Sequence, residues 1–165
     1  MKNAGLVRLR NKLAGKGAGQ TPALSIVGPV EEQGGPGSIF DRFSWQTIRA
    51  RNCMEFFLRV HHSLPRVVVC ERDLSDGSWK DVLEIAESLP CPPPVIVTSR
   101  LADDYLWAEV LNLGGYDVLA KPLDAQELSR TLNLAWDRWA GNHDQIERAQ
   151  TASSDRGGPR VCLTA

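Results

Sequence analysis

Five short apolar segments alternate with amphipathic stretches along the chain, and this alternation constrains the fold more than any other feature. The segments cover residues 23–27, 45–50, 66–70, 94–98 and 116–120. The third, RVVVC, is almost wholly β-branched, and strands without polar alternation are typical of a parallel sheet that helices cover on both faces. Strands that alternate with helices therefore predict a doubly wound α/β domain.

Helix signals occupy the segments between these strands. Asn52 and Ser78 are favourable N-cap residues, and each is followed three positions later by an acidic residue. Prolines at positions 90 and 92–94 end the helix that follows Ser78, because proline cannot continue a helix. Glycines between residues 34 and 37 leave room for only a short first helix. The predicted helices cover residues 38–43, 52–63, 78–89, 102–113 and 124–139.

Charge is divided unevenly along the chain. Residues 1–20 carry five basic side chains and no acidic one, whereas residues 21–141 carry 11 basic and 17 acidic side chains. We interpret residues 1–21 as a flexible basic arm, residues 22–140 as the folded domain and residues 141–165 as a disordered tail. A basic arm on an acidic body can bind nucleic acid, but the composition favours a solvated arm, so we do not expect a nucleic-acid partner.

Membrane and secreted proteins are disfavoured. No apolar run approaches the ~20 residues that span a bilayer, and the N-terminus lacks the apolar segment of a secretory signal. The four cysteines include no pair at metal-ligand spacing. We therefore expect reduced thiols, a cytoplasmic protein and no membrane partner.

Functional groups follow the predicted strands at the points where the strands end. Gly28 and Pro29 follow the first strand, Glu71 the third, Ser99 the fourth and Lys121 the fifth. The carboxyl ends of parallel strands meet at one edge of a sheet, which is where such sheets bind ligands. A carboxylate, a hydroxyl and an ammonium group are therefore predicted to lie together.

Three motifs carry a resemblance to a known family. They are VVVCERDLSDG at residues 67–77, PVIVTSR at 94–100 and GGYDVLAKP at 114–122. Together they resemble the receiver domain of two-component response regulators, the CheY-like superfamily, over residues 22–140. The resemblance implies a flavodoxin-like sheet of five parallel strands in the order 2-1-3-4-5.

The resemblance also implies roles for individual positions. Glu71 matches the phosphate-accepting aspartate, and Lys121 matches the lysine that binds the phosphoryl oxygen. Ser99 matches the hydroxyl residue that moves toward the phosphate, and Val118 lies where many receivers have an aromatic switch. Pro122 matches a proline that follows a cis peptide bond.

The same resemblance places Gly28 and Pro29 at the acidic pair that holds magnesium. Neither residue supplies a carboxylate, which Mg²⁺ prefers. Glu31 and Glu32 follow closely, but we expect them to be solvated. Glu71 also carries its carboxylate one methylene, ~1.5 Å, beyond the usual position, and such displacements are costly. We therefore expect that phosphorylation is lost and that no cofactor is bound, with a magnesium site as the alternative.

These features predict a stand-alone, atypical receiver, not an enzyme, that signals through protein–protein contact without phosphorylation. The 25 residues of the tail are too few for an effector domain. Two interpretations of Glu71 stay open: its charge mimics a phosphoryl group, or it simply pairs with Lys121.

In the family, the fourth and fifth helices and the fifth strand form the usual contact face. A protein partner or a second copy of the chain is therefore expected there, with Trp107 and Trp136 as candidate contacts. One alternative is a receiver that accepts phosphate at Glu71 or Asp73, with magnesium held by Glu31 and Glu32. The others are a small enzyme or flavin carrier on the same fold, and a nucleic-acid-associated regulator acting through residues 1–20.

Overall fold

The computed structural model describes residues 23–29, 38–43 and 45–154. In these residues five parallel strands form one sheet, in which the second strand along the chain is followed by the first, third, fourth and fifth. Counted along the chain, this is the predicted order 2-1-3-4-5, so the flavodoxin-like, CheY-like fold is confirmed. The strands of this sheet are β1 (Ala23–Val27), β2 (Gln46–Ala50), β3 (Val67–Glu71), β6 (Val95–Ser99) and β7 (Asp117–Ala120). A separate antiparallel hairpin is formed by two strands of two residues each, β4 (Asp73–Leu74) and β5 (Gly77–Ser78).

Within the described residues, four α-helices and one short 3₁₀ helix lie between or after the strands. The 3₁₀ helix (Ile39–Arg42) takes the place of the short first helix, and it is followed by α1 (Cys53–Ser63), α2 (Trp79–Glu87), α3 (Asp104–Asn112) and α4 (Ala125–Ser154). The predicted caps form. The Asn52 side chain accepts a hydrogen bond from the backbone N–H of Glu55 at 2.9 Å. Ser78 and Asp81 form a capping box at the start of α2.

The sheet separates two apolar cores. One lies under α1, α2 and α3, with Phe56, Trp79 and Val110 among its buried side chains. The other lies under α4, where Trp136 packs edge-on against Trp45, with ring centroids 5.8 Å apart. Burial on both faces explains the uninterrupted apolar runs of β3 and β6.

Helix α4 corrects one prediction. A disordered tail was expected from residue 141, yet the helix continues to Ser154, so that expectation is wrong for residues 141–154. A glycine in a helix interior costs only ~1 kcal/mol relative to alanine. Side chains on either side of Gly141 also contact each other. The Trp139 ring stacks on His143 with centroids 4.7 Å apart. Residues 1–21 and 155–165 lie outside the described residues.

None of the helices within the described ranges combines the length and the apolar character needed to cross a membrane.

Candidate functional site

The carboxyl edge of the sheet brings together a partly buried carboxylate, a hydroxyl and an ammonium group. Glu71 is the last residue of β3, and Lys121 directly follows β7. The two side chains form an ion pair between Oε2 and Nζ. Thr98, the register partner of Glu71 on β6, donates a hydrogen bond from Oγ1 to the same carboxylate at 3.1 Å. Paired residues of parallel strands project to the same face, which is why Thr98 reaches Glu71.

This ion pair is largely shielded from water. The side chain of Glu71 is 16% exposed and that of Lys121 is 13% exposed. Burial raises the pKa of Glu71, against the hydrogen bond from Thr98 and the charge of Arg100, which lower it. Burial also lowers the pKa of Lys121. Burial makes the charged form of each group costly in free energy, and each group is the other's ion-pair partner.

A small pocket adjoins the pair. Its volume is about 20 Å³, which holds roughly one water molecule. Most of its walls are apolar, and the lining residues are Ile26, Val27, Gly28, Phe40, Val69, Glu71, Thr98, Lys121 and Leu123.

Gly28 and Pro29 lie where the resemblance places the magnesium-binding carboxylates. Gly28 is buried, and a Cβ atom added there would lie 3.3 Å from the Cβ of Glu71, which is a tight contact. The backbone of Gly28 thus borders the space that Glu71 fills. Glu31 and Glu32 lie outside the described residues.

The donor set in this part of the structure does not fit a magnesium ion. Among the pocket-lining residues that are described, Glu71 is the single carboxylate, and it is paired with Lys121. Mg²⁺ requires near-octahedral oxygen coordination and is usually held by one or two carboxylates that are available to it. An ammonium group in direct contact with the carboxylate opposes a second cation at the same oxygen.

The two hydroxyl residues at the end of β6 have different partners. Ser99 is buried, and its Oγ accepts a hydrogen bond from the backbone N–H of Leu101 at 3.1 Å. Thr98, not singled out from the sequence, contacts Glu71. Identifying it requires the register between β3 and β6, which pairs Glu71 with Thr98.

The other predicted positions lie around β7. Val118 is half-buried and packs against the core under α1, α2 and α3. The peptide bond between Lys121 and Pro122 is cis.

Asp76 has a role that the sequence did not reveal. Its carboxylate accepts hydrogen bonds from the backbone N–H groups of Cys53 and Met54, both at 2.9 Å. It therefore caps the first turn of α1 from a loop more than 20 residues away in sequence. These hydrogen bonds, led by the one from Met54, lower the pKa of Asp76. An Asp-Gly pair predicts a turn, but it does not say which helix the carboxylate reaches.

The two aromatic candidates for a partner surface differ in exposure. Trp107 on α3 is 50% exposed, whereas Trp136 on α4 is 7% exposed. Trp136 is a core residue in contact with Trp45 and Trp139. The other exposed large apolar side chains between residues 100 and 114 are Leu101, Tyr105, Leu111 and Leu113.

No protein-family model matches the sequence, and no curated protein matches it. Solved structures do match. The signal receiver domain of a protein named as a LuxO repressor from Vibrio parahaemolyticus has a TM-score of 0.66 at 20% identity, covering 78% of this chain and 98% of that one. A two-component response regulator from Clostridium difficile has a TM-score of 0.62 at 24% identity, covering 72% and 98% of the two chains.

The chemotaxis response regulator CheY4 of Vibrio cholerae also has a TM-score of 0.62, at 11% identity, covering 70% of this chain and 99% of that one. At such identities the likeness establishes the fold, and the chain spans nearly the whole length of each structure. The chain described here therefore has the fold of response-regulator receiver domains, with a lysine-paired glutamate at the end of its central strand.

Proposed function

We propose that this chain is a receiver-type domain of two-component signal transduction that acts by protein–protein contact and is not phosphorylated at position 71. The observation that carries the proposal is the partly buried ion pair between Glu71 and Lys121. In this view, the cation that would receive a phosphoryl group is already neutralised by the side chain at the acceptor position.

The charges at the site argue against phosphoryl transfer to Glu71. Transfer to a carboxylate requires positive charge, usually from a metal ion, to offset the charge of the transferring group. The described lining offers one paired carboxylate and no second one for a metal.

The ion pair between Glu71 and Lys121 instead gives the site one fixed arrangement of charges. Glu71 brings one negative charge to Thr98 and Lys121, whereas a phosphoryl group carries nearly two and more acceptor oxygens. We infer that Glu71 holds Lys121 in place continuously, so that the domain presents one state of its surface. Regulation would then depend on the presence of a partner and not on a phosphodonor.

The proposed partner surface is the exposed apolar region of α3 together with β7 and the start of α4. Trp107 is half exposed, and exposed tryptophan is typical of protein contact sites. The free thiols of Cys53 and Cys70 support placement of the domain in a reducing compartment, the cytoplasm.

A phosphodonor experiment tests the proposal. The full chain and its Glu71→Asp variant are incubated with acetyl phosphate and Mg²⁺, and the intact mass of each is measured. We expect neither protein to gain a phosphoryl group, because shortening the side chain does not supply the missing carboxylates. An added phosphoryl group on the wild-type chain, mapped to Glu71, would overturn the proposal.

A further inference from the structure

A cluster of potential metal ligands lies on the part of α4 that extends beyond residue 140. His143, Asp144 and Glu147 each offer one ligand atom, and these three atoms lie within 4.8 Å of one another. Among the described residues this is the one cluster of three or more histidine, cysteine or carboxylate ligands. The cluster lies outside the three motifs at residues 67–77, 94–100 and 114–122.

The helix is what brings these three residues together. Side chains three or four positions apart are neighbours on an α-helix, so Glu147 is within reach of both His143 and Asp144. The Nε2 atom of His143 lies 3.7 Å from Oε1 of Glu147. The same spacing in a disordered tail would place the ligands on no common face.

Stacking on a buried indole holds the imidazole of His143 in place. Its ring centroid lies 4.7 Å from that of Trp139, and the two planes are inclined by 28°. Trp139 is 9% exposed and stacks in turn on Trp136. A ligand whose ring is already fixed loses little conformational freedom when it binds a metal, and this favours binding.

The same indole carries an unpaired hydrogen-bond donor. The Nε1 atom of Trp139 is the only buried side-chain nitrogen or oxygen without a partner among the described residues. Buried donors are nearly always paired, and an exception calls for an explanation such as a bound ion or water molecule. A water molecule on a metal at His143 would bring an acceptor close to this ring.

A salt-bridge role alone does not explain the cluster. The side chains of His143 and Glu147 are 35% and 65% exposed, and exposed pairs contribute little stability. Asp144 and Glu147 are neighbouring carboxylates, and like charges at this helical spacing are destabilising. A cation bound by all three residues would remove that repulsion.

The donor set indicates the kind of ion. Imidazole suits zinc and other first-row transition metals, whereas Mg²⁺ and Ca²⁺ prefer oxygen ligands. One imidazole and two carboxylates, with a water molecule as fourth ligand, supply the nitrogen and oxygen donors that Zn²⁺ accepts. Ligands of a tetrahedral zinc ion lie roughly 3–3.5 Å apart, so small rotations of the exposed carboxylate side chains would close the site.

We propose that His143, Asp144 and Glu147 form a zinc site that stabilises the helical structure of residues 141–154. Binding favours the state in which the ligands lie together, and here that state is the closed helix. The sequence predicts no cofactor, and a zinc ion on α4 would revise that prediction. The site would act independently of the ion pair between Glu71 and Lys121.

Calorimetric titration with Zn²⁺ tests the site. The full chain and its His143→Ala variant are compared in a phosphine reductant, which keeps the thiols reduced without supplying a competing thiol. We expect one Zn²⁺ per wild-type chain and an affinity at least tenfold weaker in the variant, because even the loss of a second-shell partner weakens metal binding about 10–100-fold. Alanine is the best helix former, so the variant should keep α4 intact.

The first control concerns a thiol in electrostatic range of the site. Burial raises the pKa of Cys91, Arg66 lowers it, and the charge of Glu147 raises it. The Cys91→Ser variant should bind Zn²⁺ as tightly as the wild type. Zinc binding that is lost in Cys91→Ser and retained in His143→Ala would overturn the proposal.

The second control concerns the other histidines of the chain. His61 and His62 are exposed near the end of α1, and a variant with both changed to alanine should retain the wild-type affinity. Excess Mg²⁺ should not displace Zn²⁺. Loss of binding in this double variant would place the ion on α1 and overturn the proposal.

Hydrogen exchange measures the structural consequence. With free Zn²⁺ at ten times its Kd, exchange of residues 141–154 should slow about tenfold in the wild type, because a bound ion lowers the population of the open segment in that proportion. Zn²⁺ should change nothing in His143→Ala, nor in residues 104–112 of α3. Binding without slower exchange at residues 141–154, or equal affinities of the wild type and His143→Ala, would overturn the proposal.

Discussion

Two carboxylates close together in sequence, Glu71 and Asp76, meet opposite environments. Glu71 is mostly buried and contacts a hydroxyl and an ammonium group, and burial raises its pKa. Asp76 lies in an exposed loop and accepts two backbone hydrogen bonds, which lower its pKa. Both residues belong to the motif at residues 67–77, yet Glu71 lines a small pocket and Asp76 caps a helix.

The difference shows what decides the role of a carboxylate here. Hydrogen bonds from backbone N–H groups favour the charged form, while removal from water disfavours it unless a cation compensates. Glu71 therefore depends on Lys121, whereas Asp76 depends on the first turn of α1. Variants that remove each interaction separately should change the unfolding free energy by different amounts. The contributions of the two carboxylates should also change in opposite directions with pH.

The largest effect is expected from Lys121→Met. Removing the cation leaves the carboxylate of Glu71 buried without its partner, and breaking a buried pair in this way costs about 3 kcal/mol of unfolding free energy. Urea unfolding at pH 8 measures the loss. The loss should shrink at pH 5, because the carboxyl group can then bind a proton.

The matched control is Lys80→Met. Lys80 pairs with Glu109 at 2.6 Å, but its side chain is 50% exposed. Exposed pairs contribute less than about 1 kcal/mol. Equal losses of unfolding free energy in Lys121→Met and Lys80→Met would show that burial does not determine the size of the effect.

A smaller effect is expected from Asp76→Asn. The amide retains one acceptor oxygen in place of two and removes the charge at the start of α1, so the variant should lose about 1 kcal/mol. Thermal or urea unfolding measures the change. The control is Asp73→Asn, because the side chain of Asp73 is 83% exposed and its ion pair with Arg72 spans 3.8 Å. A loss at Asp73 as large as that at Asp76 would contradict the capping role.

The smallest effects should appear as pH dependence, with opposite signs. Asp76 has a folded pKa below its ordinary value of 3.8, so its contribution is present above pH 3.8 and is lost as the pH falls through the folded pKa. Glu71 has a folded pKa above 4.5, so its contribution is present below pH 4.5 and is lost as the pH rises through the folded pKa. Unfolding free energies of the wild type, Asp76→Asn and Glu71→Gln, measured from pH 3 to 8, test both signs. The same sign for both residues would contradict the comparison.

The fold was largely predictable from the sequence, because the apolar runs that form the sheet are local signals. The bounds of β1 agree with the prediction, and β3 and β6 are shifted by one residue toward the C-terminus. That shift places Glu71 and Ser99 inside their strands. Glu71 and Lys121 were predicted to lie together, because strand ends meet at one edge.

The remaining details depend on contacts between distant parts of the chain. Thr98 reaches Glu71 through the register of β3 and β6, and a sequence pattern does not specify register between strands. Asp76 reaches α1 through packing of a loop against a helix. The length of α4 was missed because Gly141 has low helix propensity, whereas the stacking of Trp139 on His143 continues the helix.

Helix α4 also has a mechanical consequence. Thirty residues make a rod of about 45 Å, and the 14 residues beyond residue 140 account for about 21 Å of it. A rigid rod converts a small rotation at its base into a larger displacement at its tip. A tilt of about 10° at residue 140 would move the backbone of Ser154 by nearly 4 Å, given the rise of ~1.5 Å per residue. The end of α4 beyond residue 140 would therefore act as a lever. A small change in the packing around Trp136 would produce a larger displacement of the backbone at Ser154.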